Sequence, residues 1–164
     1  MALTRYLAII VLLLSLSCVK YSFKGALPSY LKTIYVSEFE NQTQYVGVRS
    51  ELTRKVTESF IQDNSLTLAG SEKNADLILS GSITSIQQQA VAFNQQEDVQ
   101  QYKMVVTVKA ECMNTHTQKP LWSGNLSQFG LIGENPTTTD IDNAINEAID
   151  LLTEDIINKT IAAW

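Results

Sequence analysis

The stretch Tyr102–Cys112 constrains the fold more than any other part of the sequence. Tyr102, Met104, Val106, Val108, Ala110 and Cys112 alternate with Lys103, Thr107, Lys109 and Glu111. A period of two places the first set on one face of a β-strand and the polar set on the other. A sheet built on such a strand has one apolar face, so a single covering layer completes it. Ala75–Ile86 alternates in the same way, with Leu77, Leu79, Gly81 and Ile83 sharing a face, and Leu121–Phe129 reads as a third long strand. Gln87–Gln101, between the first two, is polar and is most simply a long hairpin with its tip near Asn94–Asp98.

The covering layer is helical. Val48, Leu52, Val56 and Phe60 recur every four residues, one stripe of an amphipathic helix that Asp63-Asn64-Ser65 ends. Glu51 with Lys55, and Arg54 with Glu58, form pairs four apart on its wet side. Ile141, Ile145, Ala148, Leu152 and Ile156 make the stripe of a last helix, for which Thr139 and Asp142 resemble a capping box. Its first turns are acidic and Lys159 lies near its other end, both favourable to a helix dipole. Lys32–Val36 reads as a first strand and Leu66–Ala69 as a short second one, with turns at Glu38–Gln44 and Asn114–Pro120 and a loop at Gly130–Thr139. The order β-α-β-β-β-β-α predicts an α+β fold. It is a two-layer α/β sandwich, a mixed sheet of four to five strands with two helices on one face. The other face then carries Thr, Ser, Gln and Lys, and meets water or a polar partner.

Met1–Ser17 has one charge, Arg5, then an almost wholly apolar run that small Ser17 closes. That is the pattern of a secretory signal. A membrane-spanning helix needs about 20 apolar residues; Tyr6–Val19 offers 14, broken by Ser15 and Ser17. Cys18 stands where the run stops, and Leu14-Ser15-Leu16-Ser17-Cys18 resembles a bacterial lipobox, with Ser15 where Leu is usual. Cleavage before Cys18 and acylation of its sulfur anchor a chain to a membrane without a spanning helix. The expected organisation is a signal peptide over 1–17, a lipidated N-terminus and tether over 18–31, and one sandwich domain over 32–164. Of the two cysteines, Cys112 then has no partner, and its place in the alternation makes it a small core residue.

Catalytic chemistry finds little purchase. A hydrolase triad needs a base beside its nucleophile, and the single histidine, His116, lies in a hairpin turn and reads as solvated. No zinc-ligand spacing, phosphate-binding loop or G-x-G-x-x-G occurs. Asp140, Asp142, Glu147, Asp150, Glu154 and Asp155 fall mainly around the wet side of the last helix, as solvated carboxylates do. The expectation is no enzyme, no metal and no cofactor. Twelve Lys and Arg against 17 Asp and Glu leave a net charge of −5, which argues against nucleic acid as a partner. Seven of the 12 glutamines lie in Gln87–Gln101. Such a hairpin either hydrogen-bonds a polar wall of mixed character or is simply exposed.

Cys18-Val-Lys-Tyr-Ser-Phe23, Gly25-Ala-Leu-Pro28, Lys32-Thr-Ile-Tyr-Val36 and Phe39-Glu-Asn-Gln-Thr43 resemble the opening of the LptE family of outer-membrane lipopolysaccharide-assembly lipoproteins. The likeness continues through Glu51-Leu-Thr53, Phe60, Ala75-Asp76-Leu77, Gly81-Ser-Ile83, Tyr102, Val106-Thr-Val108 and Leu121-Trp122, spanning nearly the whole mature chain. The resemblance implies an α/β sandwich held by lipid at the outer membrane. It implies a plug inside the LptD β-barrel that helps the barrel assemble and helps deliver lipopolysaccharide. A polar barrel lumen suits a Gln, Ser and Thr surface. The family's association with lipopolysaccharide rests on basic residues near the hairpin tip and in the loop before the last helix. Here Ala90–Gln101 has Glu97 and Asp98 but no Lys or Arg, and Gly130–Thr139 has Glu134 and no cation. Lys103 and Lys109, on one strand face, and Phe93 and Asn94, near the tip, are the remaining candidate contacts to barrel or lipopolysaccharide.

Tyr35-Val-Ser-Glu-Phe-Glu-Asn, Thr43 and Ala75-Asp76 with Gly81 also resemble pieces of lipoprotein activators of peptidoglycan synthases and of the curli secretion channel. A pore subunit needs membrane strands, and the hairpin near Ala90–Gln101 is too polar to face lipid. An activator hangs from a long linker, whereas about a dozen residues separate Cys18 from the first strand.

Overall fold

The computed structural model describes residues 28–93 and 99–162. The expected signal peptide, the expected lipid site at Cys18 and most of the expected tether lie outside them. Among the described residues, six strands form one sheet: β1 (Thr33–Val36), β2 (Glu40–Asn41), β3 (Thr67–Leu68), β4 (Leu77–Phe93), β5 (Val99–Asn114) and β6 (Lys119–Ile132). Helices α1 (Val48–Asp63) and α2 (Thr138–Ile161) cover one face. The strand order is β3-β1-β4-β5-β6, with β2 beside β4. The β3–β1–β4 and β2–β4 pairs are parallel, and β4–β5–β6 is an antiparallel meander. This is the mixed-sheet α+β sandwich expected from the alternation. The turn over Glu38–Gln44 additionally holds β2, a two-residue strand without a readable period.

The alternating residues of β5 form the centre of the core: Met104, Val106, Val108, Ala110 and Cys112 are all buried. So is the whole α1 stripe of Val48, Leu52, Val56 and Phe60. Asn64, in the left-handed conformation at φ 58°, ends α1. Arg54 bonds Glu51 and Glu58 along the wet side of α1, while Lys55 reaches across to Asp150 of α2. The buried stripe of α2 is wider than the sequence suggests and adds Ala144, Ile149, Thr153, Ile157 and Thr160. The hydroxyls of Thr153 and Thr160 return to the carbonyls of Ile149 and Ile156 at 2.8 and 2.7 Å, so neither enters the core unsatisfied. Thr160 also accepts the indole N–H of Trp122 from β6 at 3.1 Å.

Two boundaries differ from the sequence reading. The capping box belongs to Thr137 and Asp140, two residues earlier than Thr139 and Asp142. Thr137 with Asp140 and Thr139 with Asp142 offer the same spacing, and the helix starts at the first of the two pairs. The segment from Gly130 is not all loop, because β6 runs on to Ile132. A side chain at Gly130 would stand 2.6 Å from the Cα of Ala144, so glycine here permits the close approach of α2 to the sheet.

The chain enters the sheet through a polar knot. Asp76, just before β4, accepts the backbone N–H groups of Lys32 and Thr33 at 2.8 and 2.9 Å and the Thr33 hydroxyl at 2.9 Å. Its other oxygen lies 2.7 Å from Nε2 of His116, whose ring meets Tyr30 edge-on at 5.6 Å. His116 is therefore an exposed turn residue, as its position suggests, but its ring is also hydrogen-bonded to Asp76. Partial burial pushes the Asp76 pKa up. The bonds from Lys32, His116 and Thr33 outweigh it and hold the carboxyl well below the usual carboxylate range.

Gly130→Ala is expected to destabilise the fold by about 1–3 kcal/mol through overpacking. Gly124→Ala, with open space around its added methyl, serves as the near-neutral control in urea unfolding. Asp76→Asn is expected to cost about 1–3 kcal/mol at neutral pH. A carboxylate with a depressed folded pKa adds stability above its unfolded pKa of about 4 and loses it as pH falls through the folded value. The gap between wild type and Asp76→Asn should thus narrow steadily as unfolding is repeated below about pH 4.

Candidate functional site

Among the described residues, no layer covers the face of the sheet opposite the helices. Its side chains fall in cross-strand rows set by the β4–β5–β6 register. From the base outward these are Ser80–Glu111–Ser123, Ser82–Lys109–Asn125, Ser85–Thr107–Ser127, Gln87–Val105–Phe129 and Gln89–Lys103–Leu131. The hydroxyls of Thr107 and Ser127 lie 3.0 Å apart, and the Thr84 hydroxyl donates to the Thr107 carbonyl at 3.2 Å. Thr84 is the extra residue where register shifts between Ile83 and Ser85. This bulge keeps Ile86 on the core side despite its even number. The central row, Ser85–Thr107–Ser127, is thus uncharged and made of hydroxyls, able to exchange hydrogen bonds with many polar partners.

The two candidate lysines share this face, as their spacing requires, but in different surroundings. Lys109 is exposed and borders a shallow groove of about 350 Å³ whose lining includes Ser37, Glu38, Glu40, Ser82 and Glu111. Three carboxylates meet one ammonium there, although Arg49 pairs with Glu38 at 3.1 Å. A groove of that composition favours a cation or a hydrogen-bonding group over an anion. Lys103 is half-buried, its ammonium 5.0 Å from the centroid of the Phe129 ring. Phe129 and Leu131 beside it are 43% and 49% exposed. The distal end of the face is therefore amphiphilic, one cation among apolar groups.

That apolar end corrects the expectation of an entirely Thr, Ser, Gln and Lys face. A third strand that ends at Phe129 places Leu131 in a loop, whereas β6 continues to Ile132 and sets Leu131 on the same face as Phe129. The available signal was the continued alternation of Leu126, Gln128, Gly130 and Ile132 against Ser127, Phe129 and Leu131. Of the other candidates, Phe93 is described only as the last backbone position of β4, and Asn94 and Cys18 lie outside the described residues. Cys112 is fully buried beneath the helices, where desolvation and the neighbouring Glu111 carboxylate push its thiol up to about 12. Among the described residues no group of His, Cys, Asp and Glu is arranged to hold a metal ion. Among the same residues no helix is long and apolar enough to cross a membrane.

No curated protein matches the sequence. Several solved structures share the fold. A hypothetical protein of Chlamydia trachomatis superposes with a TM-score of 0.62 at 9% identity, over 80% of this chain and 96% of the other. An uncharacterized lipoprotein B of Nitrosomonas europaea gives 0.57 at 12% identity, over 84% and 85%. The rare lipoprotein B of Shewanella oneidensis gives 0.51 at 13% identity, over 77% and 92%. A model of the family described as LptE, lipopolysaccharide-assembly, matches residues 31–160, from the residue before the Asp76 knot to the last turn of α2. The chain belongs to the LptE lipopolysaccharide-assembly family.

Proposed function

We propose that this chain is a lipid-anchored, non-enzymatic plug and assembly partner of an LptD-like outer-membrane barrel, and that it supports lipopolysaccharide insertion at the cell surface. One observation supports the reading beyond family membership: a broad sheet face that no described element covers, with the uncharged hydroxyl row Ser85–Thr107–Ser127 at its centre. A hydrophobic face would be costly against a hydrated lumen, and a densely charged one would demand paired countercharges. Ser, Thr, Asn and Gln satisfy a polar wall of mixed donors and acceptors with neither cost.

The same geometry supports a role for Lys103 at the amphiphilic end, where a cation adjoins exposed Phe129 and Leu131. Lys109, set among Glu38, Glu40 and Glu111, suits a hydrogen bond to a polar wall better than an anionic headgroup. His116 is spent on Asp76, and Asp76 on the backbone of β1, which supports the absence of catalysis at that pair.

Affinity purification of the full chain from detergent-solubilised membranes tests the reading. Co-recovery of one large β-barrel in roughly equal amount is the expected outcome; recovery with a peptidoglycan synthase and no barrel would overturn it. Cys18→Ala is expected to move the protein from the membrane to the soluble periplasmic fraction, since losing the acyl chains removes about 0.8 kcal/mol per buried methylene. Unchanged membrane retention would refute the anchor.

A further inference from the structure

Among the described residues, the outer edge of β4 is occupied along only part of its length. β1 pairs with Leu77–Leu79 and β2 with Ser82 and Ile83, and the last backbone bond on this side runs from Gln42 N–H to the Ile83 carbonyl at 2.9 Å. Beyond the Thr84 bulge, Ser85–Ala90 pairs with Thr107–Tyr102 of β5 in unbroken register. No described strand lies on its other side. The carbonyls of Leu79 and Ile83 face outward, to Ser37 and Gln42. With one residue added at Thr84, antiparallel alternation turns the N–H and C=O groups of Ile86, Gln88 and Ala90 outward in turn.

An edge of this kind is a template for another strand, and proteins guard such edges with Lys, Pro or charge. The opposite edge, β6, begins with Lys119-Pro120. Thr84–Phe93 reads TSIQQQAVAF, without a charge, a proline or a glycine. Gln87, Gln88, Gln89 and Ala90 are exposed, while Ile86 is half-buried. The two sides of this edge differ: Ser85, Gln87 and Gln89 on the open face, Ile86, Gln88 and Ala90 on the helix-bearing face. A strand added here meets a polar row on one side and a more apolar row on the other. An amphipathic strand with a two-residue period fits that pair of rows.

We infer that Ser85–Ala90 is a strand-addition edge whose occupant is an amphipathic strand of the barrel partner before that barrel closes. This rests on the plug reading above. A transmembrane barrel strand alternates apolar and polar side chains, and it has an unpaired edge only until closure removes it. Pairing with the edge holds an open barrel's terminal strand beside the domain that the finished barrel encloses.

The test uses the barrel co-purified above, refolded from denaturant into detergent micelles with full-length wild type, Gln88→Pro or Gln88→Ala. Proline at position 88 removes one outward N–H while leaving the β4–β5 hydrogen bonds in place. Gln88→Pro is expected to slow barrel closure by about three- to tenfold relative to wild type, the scale of one or two lost hydrogen bonds. Gln88→Ala should match wild type, and all three proteins should bind the pre-closed barrel equally. If Gln88→Pro folds poorly, the double variant Gln88→Lys/Ala90→Lys blocks the edge with charge and is expected to give the same slowing. Equal closure rates for edge-blocked and wild-type proteins, with binding to the closed barrel intact, overturn the edge inference alone. Failure of wild type to bind the closed barrel overturns the plug reading and this inference with it.

Discussion

The structure depends on one-sided burial along β5. Its alternate residues from Met104 to Cys112 are sealed under α1 and α2, while Lys103, Thr107, Lys109 and Glu111 stay on the other side. A sixteen-residue strand committed in this way fixes the register of β4 and β6 on its flanks, because a slip of one residue would exchange the two faces. Both helices then pack on the same side, and Gly130 lets α2 settle against β6. The open face is what remains once that burial is complete, so its chemistry and position follow from the core.

Much of this was legible in the sequence because burial writes itself as periodicity. The four-residue spacing of Val48, Leu52, Val56 and Phe60 and the alternation in β5 each identify a buried face without further information. Cys112 could be placed in the core on the same ground. What escaped lacks a period. The two-residue strand β2 exists because β4 offers it partners, and nothing in Glu40-Asn41 announces that. Thr153 and Thr160 read as polar until their hydroxyls are seen to fold back on their own helix.

The candidate site was legible in outline and not in detail. Spacing alone placed Lys103 and Lys109 on one face. Their contrast, one over Phe129 of β6 and the other near Glu111 of its own strand and Glu38 and Glu40 from across β4, depends on strand neighbours that spacing alone does not reveal. The Asp76–His116 pair joins residues 40 apart whose proximity follows only from the β4–β5 register. The Gln-rich stretch was the most conspicuous feature of the sequence. Its meaning changed once β4 was seen to outrun its parallel neighbours, from a coating to a row of outward-facing backbone groups.

The polar knot at Asp76 also bears on mechanics. β1 lies between β3 and β4 with all three strands parallel, and the chain arrives at the same end where Asp76 grips Lys32 and Thr33. A pull from the N-terminal side along the strand axis therefore loads every β1 hydrogen bond together, in shear, and none of them peels first. A domain pulled from this side would yield last at β1.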